Sequence, residues 1–375
     1  MVSIVVLFTN YGPYHLARLE AFHKVCQKEA WSLNCIELAR VEALYPWRAS
    51  LKELPLKFTT LVHDRPLESV NTISLISCLI KALYQINPDV IAIAGYAQPP
   101  MFAALAWSIL NNKKAILLSA SKEDDFQRNL IVEKIKSQIV KCYNSALVGG
   151  KPQKRYLAKL GMLSESIKLG YNVVGNDSLN PLIIKKLPSP LKRHYFLAVN
   201  RFVPKKNLFT LLEAYVNYRQ ASPEPFYDLV LCGDGELRPQ IEQQIAELNL
   251  QDSVHLPGFL QQDQLLPYFA HANYFIHASI QEQWGLVVNE AMAAGLPVLV
   301  SNRCGCFEDL VIEGVNGFEF DPENPQQITE LMLKMSSGEI NLEKMGKASL
   351  EHIHKFSPDY FAEGLMQAVQ YALEH

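Results

Sequence analysis

Several signals that would settle a function at a glance are missing from this 375-residue chain. None of its seven cysteines form a CxxC pair, and the nearest spacing, Cys304-Gly-Cys306, is too tight for a zinc knuckle, so neither a metal nor a disulfide framework is expected. There is no basic excess either: 35 Lys and Arg against 38 Asp and Glu leave a net charge of -3, which argues against a nucleic-acid partner. No window approaches the roughly 18 apolar residues that a bilayer-spanning helix needs. The opening MVSIVVLFTNYGPYH lacks a basic leader and a long apolar run, and reads as a strand rather than a signal peptide. A cytoplasmic protein, touching a membrane surface at most peripherally, is the expectation. Internal repeats and low-complexity tracts are absent too.

What is present is alternation. Short β-branched runs, Ser3 to Phe8, Val90 to Ala94 and Ala115 to Ser119, alternate with helical patterns such as Tyr14 to Glu29. The stretch NDSLNPLIIKKLPSPLKRH then gathers prolines and basic residues without periodicity, as a linker does. The alternation restarts at Tyr195 to Val199 and continues through Tyr227 to Cys232, Ser253 to Leu256 and Tyr274 to His277. This pattern, with a length too great for one ordinary core, predicts an α/β protein of two doubly wound, Rossmann-like domains. The boundaries are 1–178 for the first, 179–194 for the linker and 195–355 for the second. A last amphipathic helix, 356–375, is expected to pack back on the first domain.

Ligands of open α/β sheets bind in the loops that follow strands. After the first strand, Gly12 opens a turn into a helix whose N-H groups suit an anion, although a plain strand-to-helix turn reads the same. His15 falls in the first turn of that helix, positioned either to touch a substrate or simply to be solvated. Past Val199, Arg201 and Lys206 stand at a helix mouth, where the dipole already favours anions; a phosphate would resolve that tension, while solvated surface cations are the blander reading. Glu282 and Glu290 lie eight residues apart in QEQWGLVVNEAMAAGLPVLV. On one continuous helix they would sit about 80° and about 12 Å apart. Gly285 instead predicts a loop followed by a helix from Leu286, letting both carboxylates face one extended ligand; charges capping a core helix are the alternative.

Taken together, VNRFVPKKNLFTLLEAY, LVLCGDGEL, HLPGFL, EQWGLVVNEAMAAGLPVLVS and EDLVIEGVNGFEFDP, in that order, resemble the retaining glycosyltransferases of family 4. The first half matches more loosely, through the Gly12 loop, GYAQPP and SKEDDFQRN. The resemblance implies the GT-B fold, two Rossmann-like domains facing across a cleft, and transfer of a sugar from a nucleotide-diphosphate sugar to an acceptor hydroxyl with retention. Arg201 and Lys206 are then implied to bind the diphosphate, Glu290 the ribose, and Glu282 with the backbone at Trp284, Gly285 and Leu286 the donor sugar. Gly258, Phe259 and Leu260 would border the base, and Gly12 would let the backbone close over the β-phosphate. His15, Asp124 and Arg128 are candidates for the acceptor side. No metal or other cofactor is implied, because the cations and helix dipoles neutralise the leaving group. Cys304-Gly305-Cys306 departs from the family's Gly-Gly, and Trp284 replaces a frequent phenylalanine.

A GT-B sugar phosphorylase, a nucleotide-sugar epimerase and a non-catalytic nucleotide-sugar binding protein are the competing readings. A nicotinamide dehydrogenase is disfavoured, since no GxGxxG with a later ribose-binding acid follows either first strand. The acceptor in this reading is a glycolipid, a polysaccharide or a small molecule, and a lipid would fit residues 113–159, which hold eleven basic against four acidic residues. Within them LIVEKIKSQIVKCY is amphipathic with interleaved lysines, so residues 130–142 could contact an anionic membrane, or could equally pack as an ordinary helix on their own sheet.

Overall fold

The computed structural model describes residues 1–41, 55–126 and 128–375. Two compact units result: Met1–Gly175 with Phe356–His375, and Asn176–Lys355. The first is built on seven strands: β1 Ser3–Phe8, β2 Ser32–Glu37, β3 Lys57–Thr60, β4 Val90–Ala94, β5 Lys114–Ser119, β6 Ser145–Val148 and β7 Ile167–Leu169. They form one sheet in the order β3-β2-β1-β4-β5-β6-β7, and each pair is parallel. Ile4 to Leu7 and Val90 to Ile93 are completely buried, as strands covered by helices on both faces must be.

One face of this sheet is covered by the helices Thr72–Ile86 and Pro99–Leu110 among others. The opposite face is closed by Pro13–Lys28 and by Pro358–Glu374, the last helix of the chain. Phe361, Leu365 and Val369 of that last helix are fully buried, and each such side chain contributes roughly 1.5–3 kcal/mol of burial free energy. Ser145 Oγ donates to the Ala368 carbonyl at 2.7 Å. The helix comes so close that a Cβ on Gly364 would stand 2.1 Å from the Leu169 carbonyl oxygen.

The second unit repeats the design with six strands: β8 Tyr195–Val199, β9 Asp228–Cys232, β10 Val254–Gly258, β11 Tyr274–His277, β12 Val298–Ser301 and β13 Gly317–Phe320. Their order is β10-β9-β8-β11-β12-β13, all parallel. The strand order reverses between β8 and β11, which is where doubly wound sheets bind ligands. Within residues 179–194, read from the sequence as a linker, the first part is helical. Asn176–Leu179 and Pro181–Ile184 are short helical turns, Asn180 caps the second by accepting from Leu182 N-H at 3.0 Å, and both pack inside the second unit. Proline at the first helical position starts a turn rather than preventing one. The units accordingly divide after Gly175 rather than after residue 178.

Gly364→Ala should lower the stability of the first unit by about 2–3 kcal/mol in urea unfolding, because the new methyl overlaps backbone that cannot yield. Unchanged stability would mean that the last helix does not dock at this distance.

Candidate functional site

At the C-terminal ends of β8 and β9 the backbone is unusually close. Gly233 has φ +135°, and a Cβ there would fall 1.8 Å from the Asn200 carbonyl oxygen, so the GDG turn admits only glycine at this point. Arg201 follows Asn200 and is exposed. Lys206 closes the short turn Pro204–Lys206, and Asn207, at φ +58°, separates it from the helix Leu208–Ala221. Lys206 thus stands before that helix rather than in its first turn. On the neighbouring side, Gly258 has φ +89° and its carbonyl accepts from Gly233 N-H at 2.8 Å, with Phe259 exposed and Leu260 half-buried next to it.

β11 leads into the loop before the helix Leu286–Ala293, whose N-cap is Gly285 at φ +102°. Glycine is used here for the reason its place in the sequence suggests: it breaks the helical path between Glu282 and Glu290. The loop is fastened on two sides. Ile280 N-H donates to the Lys205 carbonyl at 3.0 Å, while Gly305 N-H donates to Glu282 O at 3.0 Å and Cys306 N-H to Trp284 O at 3.1 Å. The Cys304-Gly305-Cys306 segment therefore forms a backbone clamp on the Glu282 loop. Trp284 is 2% exposed and its Nε1 donates to Asn289 Oδ1 at 2.8 Å, so its side chain belongs to the core and only its backbone can meet a ligand. Glu290 sits in the second turn of the helix, buried at 6% exposure.

The loops meet through charge. Lys206 Nζ is ion-paired with Glu282 Oε2, and their side chains are 12% and 16% exposed. The sequence reading left Lys206 in need of a phosphate; the structure supplies a carboxylate partner from a loop 76 residues away. His277 Nε2, in a fully buried ring, lies 3.5 Å from the same oxygen. Burial alone would raise the Glu282 carboxyl, but the adjacent His277 imidazole and the Lys206 ammonium outweigh it and hold the group well below the usual carboxylate range. Glu282 is ionised throughout the neutral range.

Sequence reasoning overlooked His277 and Asn200. His277 ends an apolar run and reads as a core position. Asn200 has both amide atoms buried without a hydrogen-bond partner, and the signal available was an amide placed immediately after a buried strand.

In the first unit, Gly12 caps the helix Pro13–Lys28 at φ -84°, a conformation open to any residue, and the nearest atom to a Cβ there would be His15 Nδ1 at 3.8 Å. Neither backbone strain nor packing requires glycine at this position. Gly12 N-H donates to His15 Nδ1 at 3.1 Å, and the half-buried imidazole packs on Phe8 with centroids 4.3 Å apart. Burial, assisted by the Arg18 charge, pushes His15 down to about 3. Asp124 is exposed and paired with Lys122 Nζ at 2.6 Å. Arg128 donates to the carbonyls of Glu123 and Lys122, approaches Glu133 at 3.6 Å and lies over the Tyr156 ring at 4.6 Å. Gln127 of the same motif lies outside the described residues.

A histidine kept neutral by folding contributes stability that is complete above its unfolded pKa, about 6.5, and is lost as pH falls through the window toward about 3. The parent should therefore lose stability relative to His15→Gln as urea titrations move from pH 7 to pH 4. Parallel curves for the two proteins would refute this placement of His15.

Residues 180–352 match the family model described as Glycosyl transferases group 1. The amylovoran biosynthesis glycosyltransferase AmsK of Erwinia amylovora is 28% identical over 192 residues, 50% of this chain and 46% of that protein. The chain thus spans less than half the length of this curated relative. A glycosyltransferase structure from Rickettsia africae superposes with a TM-score of 0.77 at 16% identity, covering 100% of this chain and 99% of the other. Anabaena HepE in complex with UDP and glucose gives 0.77 at 17% identity, with 99% and 100% covered. At such identities the structural likeness concerns the fold, and the fold is GT-B. Residues 180–352, a little under half of the chain, are thus similar to the glycosyl transferases group 1.

Proposed function

We propose that the protein is a retaining glycosyltransferase that moves a sugar from a nucleotide-diphosphate sugar to an acceptor hydroxyl. The observation that carries the reading is the convergence of Lys206 and Glu282 at the switch point of the second sheet, inside the region that matches the family. Arg201 and Lys206 are assigned to the diphosphate, Glu290 to the ribose, and Glu282 with the backbone of Trp284, Gly285 and Leu286 to the donor sugar. Gly258, Phe259 and Leu260 are assigned to the base. The binding of UDP by HepE supports a donor of this class.

Glycosyl transfer breaks the anomeric C-O bond as negative charge grows on the leaving diphosphate, so fixed cations aimed at that group stabilise the transition state directly. The proposal needs no metal for this step. Front-face displacement, in which a leaving phosphate oxygen takes the acceptor proton, agrees with His15: an imidazole pushed down to about 3 is too weak a base to do so near neutrality. Arg128 and Asp124 are each engaged by neighbouring groups, and with His15 they are assigned to the acceptor side. Gly12, where a Cβ would meet His15 Nδ1 at 3.8 Å, is assigned to the β-phosphate of the donor.

The acceptor side carries a second feature. The helix Leu130–Val140 exposes Leu130, Ile131 and Ile135 at 81%, 70% and 56%, with Phe126 just before it at 65%, and buries only Val140. It is not an ordinary amphipathic helix whose apolar side lies on its sheet. Exposed aliphatics beside Lys134 and Lys141 suit an anionic membrane surface, where each nearby lysine adds about 1 kcal/mol. No helix among the described residues is long and apolar enough to cross a membrane. We assign residues 130–142 to peripheral contact with anionic lipid, consistent with a lipid or lipid-linked acceptor.

A panel of nucleoside diphosphates and their sugars should raise the Tm of the parent for at least one member, and Lys206→Ala or Glu290→Ala should weaken that binding at least tenfold, an effect of about 1.4 kcal/mol or more. Equal binding by parent and both variants would overturn the donor-site assignment. In cosedimentation, phosphatidylserine vesicles should retain the protein more than phosphatidylcholine vesicles, and Ile131→Glu with Lys134→Glu should abolish the difference. Retention that ignores lipid charge and both substitutions would remove the membrane assignment.

A further inference from the structure

β11 ends in a histidine that its surroundings do not need for packing. His277 is 0% exposed and its ring runs nearly parallel to that of Phe275, at 6.1 Å between centroids and 16° between planes. A leucine would fill the same space without burying two polar nitrogens. One of these, Nδ1, has no hydrogen-bond partner. Such a group costs free energy, and a fold retains it where the other half of the ring does something an apolar residue cannot.

The other half faces Glu282. Nε2 lies 3.1 Å from Ser279 Oγ, also fully buried, and 3.5 Å from Glu282 Oε2. Burial, followed by the Lys206 charge, pushes the imidazole below its ordinary value, so the ring holds a single proton at neutral pH. An ionised carboxylate only accepts hydrogen bonds, which places that proton on Nε2 and leaves Nδ1 as the bare lone pair. Lys206 also meets the carboxylate on Oε2. Among the described residues, the closest approaches of Lys206 and His277 to Glu282 both fall on one oxygen, and no hydrogen bond reaches Oε1. A carboxylate held at one oxygen by an ammonium, with an imidazole nitrogen 3.5 Å from the same oxygen, presents the other in a set direction.

We infer that His277 is a positioning residue which, with Ser279 steadying its ring, holds Oε2 of Glu282 so that Oε1 accepts a hydroxyl of the donor's sugar. This rests on the assignment of Glu282 to the donor sugar made above. Lys206 is assigned above to the diphosphate as well as meeting Glu282, whereas the polar contacts of His277 are with Glu282 and Ser279. Loss of the histidine should therefore affect recognition of the sugar and spare recognition of the nucleoside diphosphate.

The test uses the full chain with UDP, UDP-glucose, GDP and GDP-mannose as probes, carrying forward the nucleotide pair that stabilises the parent best. His277→Leu keeps the volume and removes the donor; His277→Gln keeps an amide N-H that can reach the carboxylate. Expected is a loss of about tenfold in affinity and kcat/KM for the nucleotide-sugar with His277→Leu, binding of the free diphosphate within about twofold of the parent, and recovery of most of the loss with His277→Gln. In a Glu282→Gln background, His277→Leu should add little, since the two act through one contact. Equal weakening of both ligands, no weakening of either, or a glutamine variant no better than leucine would each overturn the inference. If Glu282→Gln impairs sugar recognition while His277→Leu does not, only the inference fails. If no probe stabilises the parent, or if Glu282→Gln leaves sugar recognition intact, the donor-site reading fails and takes the inference with it. Should His277→Leu fail to fold, His277→Met, which also fills the space without a donor, takes its place in each of these comparisons.

Discussion

The ion pair of Lys206 and Glu282 depends on the order of strands and on nothing local. β8 and β11 are neighbours because the chain crosses back over the sheet after β10, and that crossing brings together two loops 76 residues apart. The pair is neither a surface ornament nor fully dry, with 12% and 16% of its side chains exposed. An exposed pair adds about 0–1 kcal/mol, whereas removing one partner of a buried pair costs about 3–5 kcal/mol. Each partner therefore keeps the other ordered. An ammonium has three N-H donors, so Lys206 can retain the carboxylate while it meets further oxygen atoms. The crest of the second sheet is thus held in shape by the same charges that would engage a diphosphate and a sugar.

Much of this arrangement is legible in the sequence, for a physical reason. Parallel strands buried on both faces must be short and apolar, and β1, β4, β8 and β11 stand where Ser3, Val90, Tyr195 and Tyr274 announce them. Gly285 marks the start of the helix at Leu286 because few other residues adopt φ +102° without strain. What stayed hidden is whatever depends on tertiary neighbours. The partner of Lys206 is fixed by topology, His277 looks like the last core residue of a strand, and the prolines of residues 179–194 start turns as readily as they make a linker. The backbone clamp from Cys304-Gly305-Cys306 was invisible for the same reason, since its donors are main-chain groups without sequence identity.

The second sheet also gathers polar atoms that find no protein partner. Both amide atoms of Asn200, His277 Nδ1 and Asn302 Oδ1 are buried and unpaired, and they lie at or just past the ends of β8, β11 and β12, three adjacent strands. A native fold leaves few such groups, and a cluster at one edge of one sheet marks where specificity was given preference over burial. The stability needed to carry them comes from the apolar layers beneath, where Phe196, Leu211, Ile276 and Met332 are completely enclosed.

The helix Pro358–Glu374 completes the first unit although residues 176–355 intervene. During synthesis at about 5–20 residues per second, those 180 or so residues take on the order of 10–40 s to emerge. For that interval one face of the first sheet, with Leu147 and Val173, lacks its cover. The second unit, contiguous in sequence, can close on the ribosome; the first cannot mature until the helix Pro358–Glu374 has emerged. Nascent protein must therefore keep an unfinished apolar surface from its neighbours, and the rate at which residues 176–374 are synthesised becomes a determinant of yield.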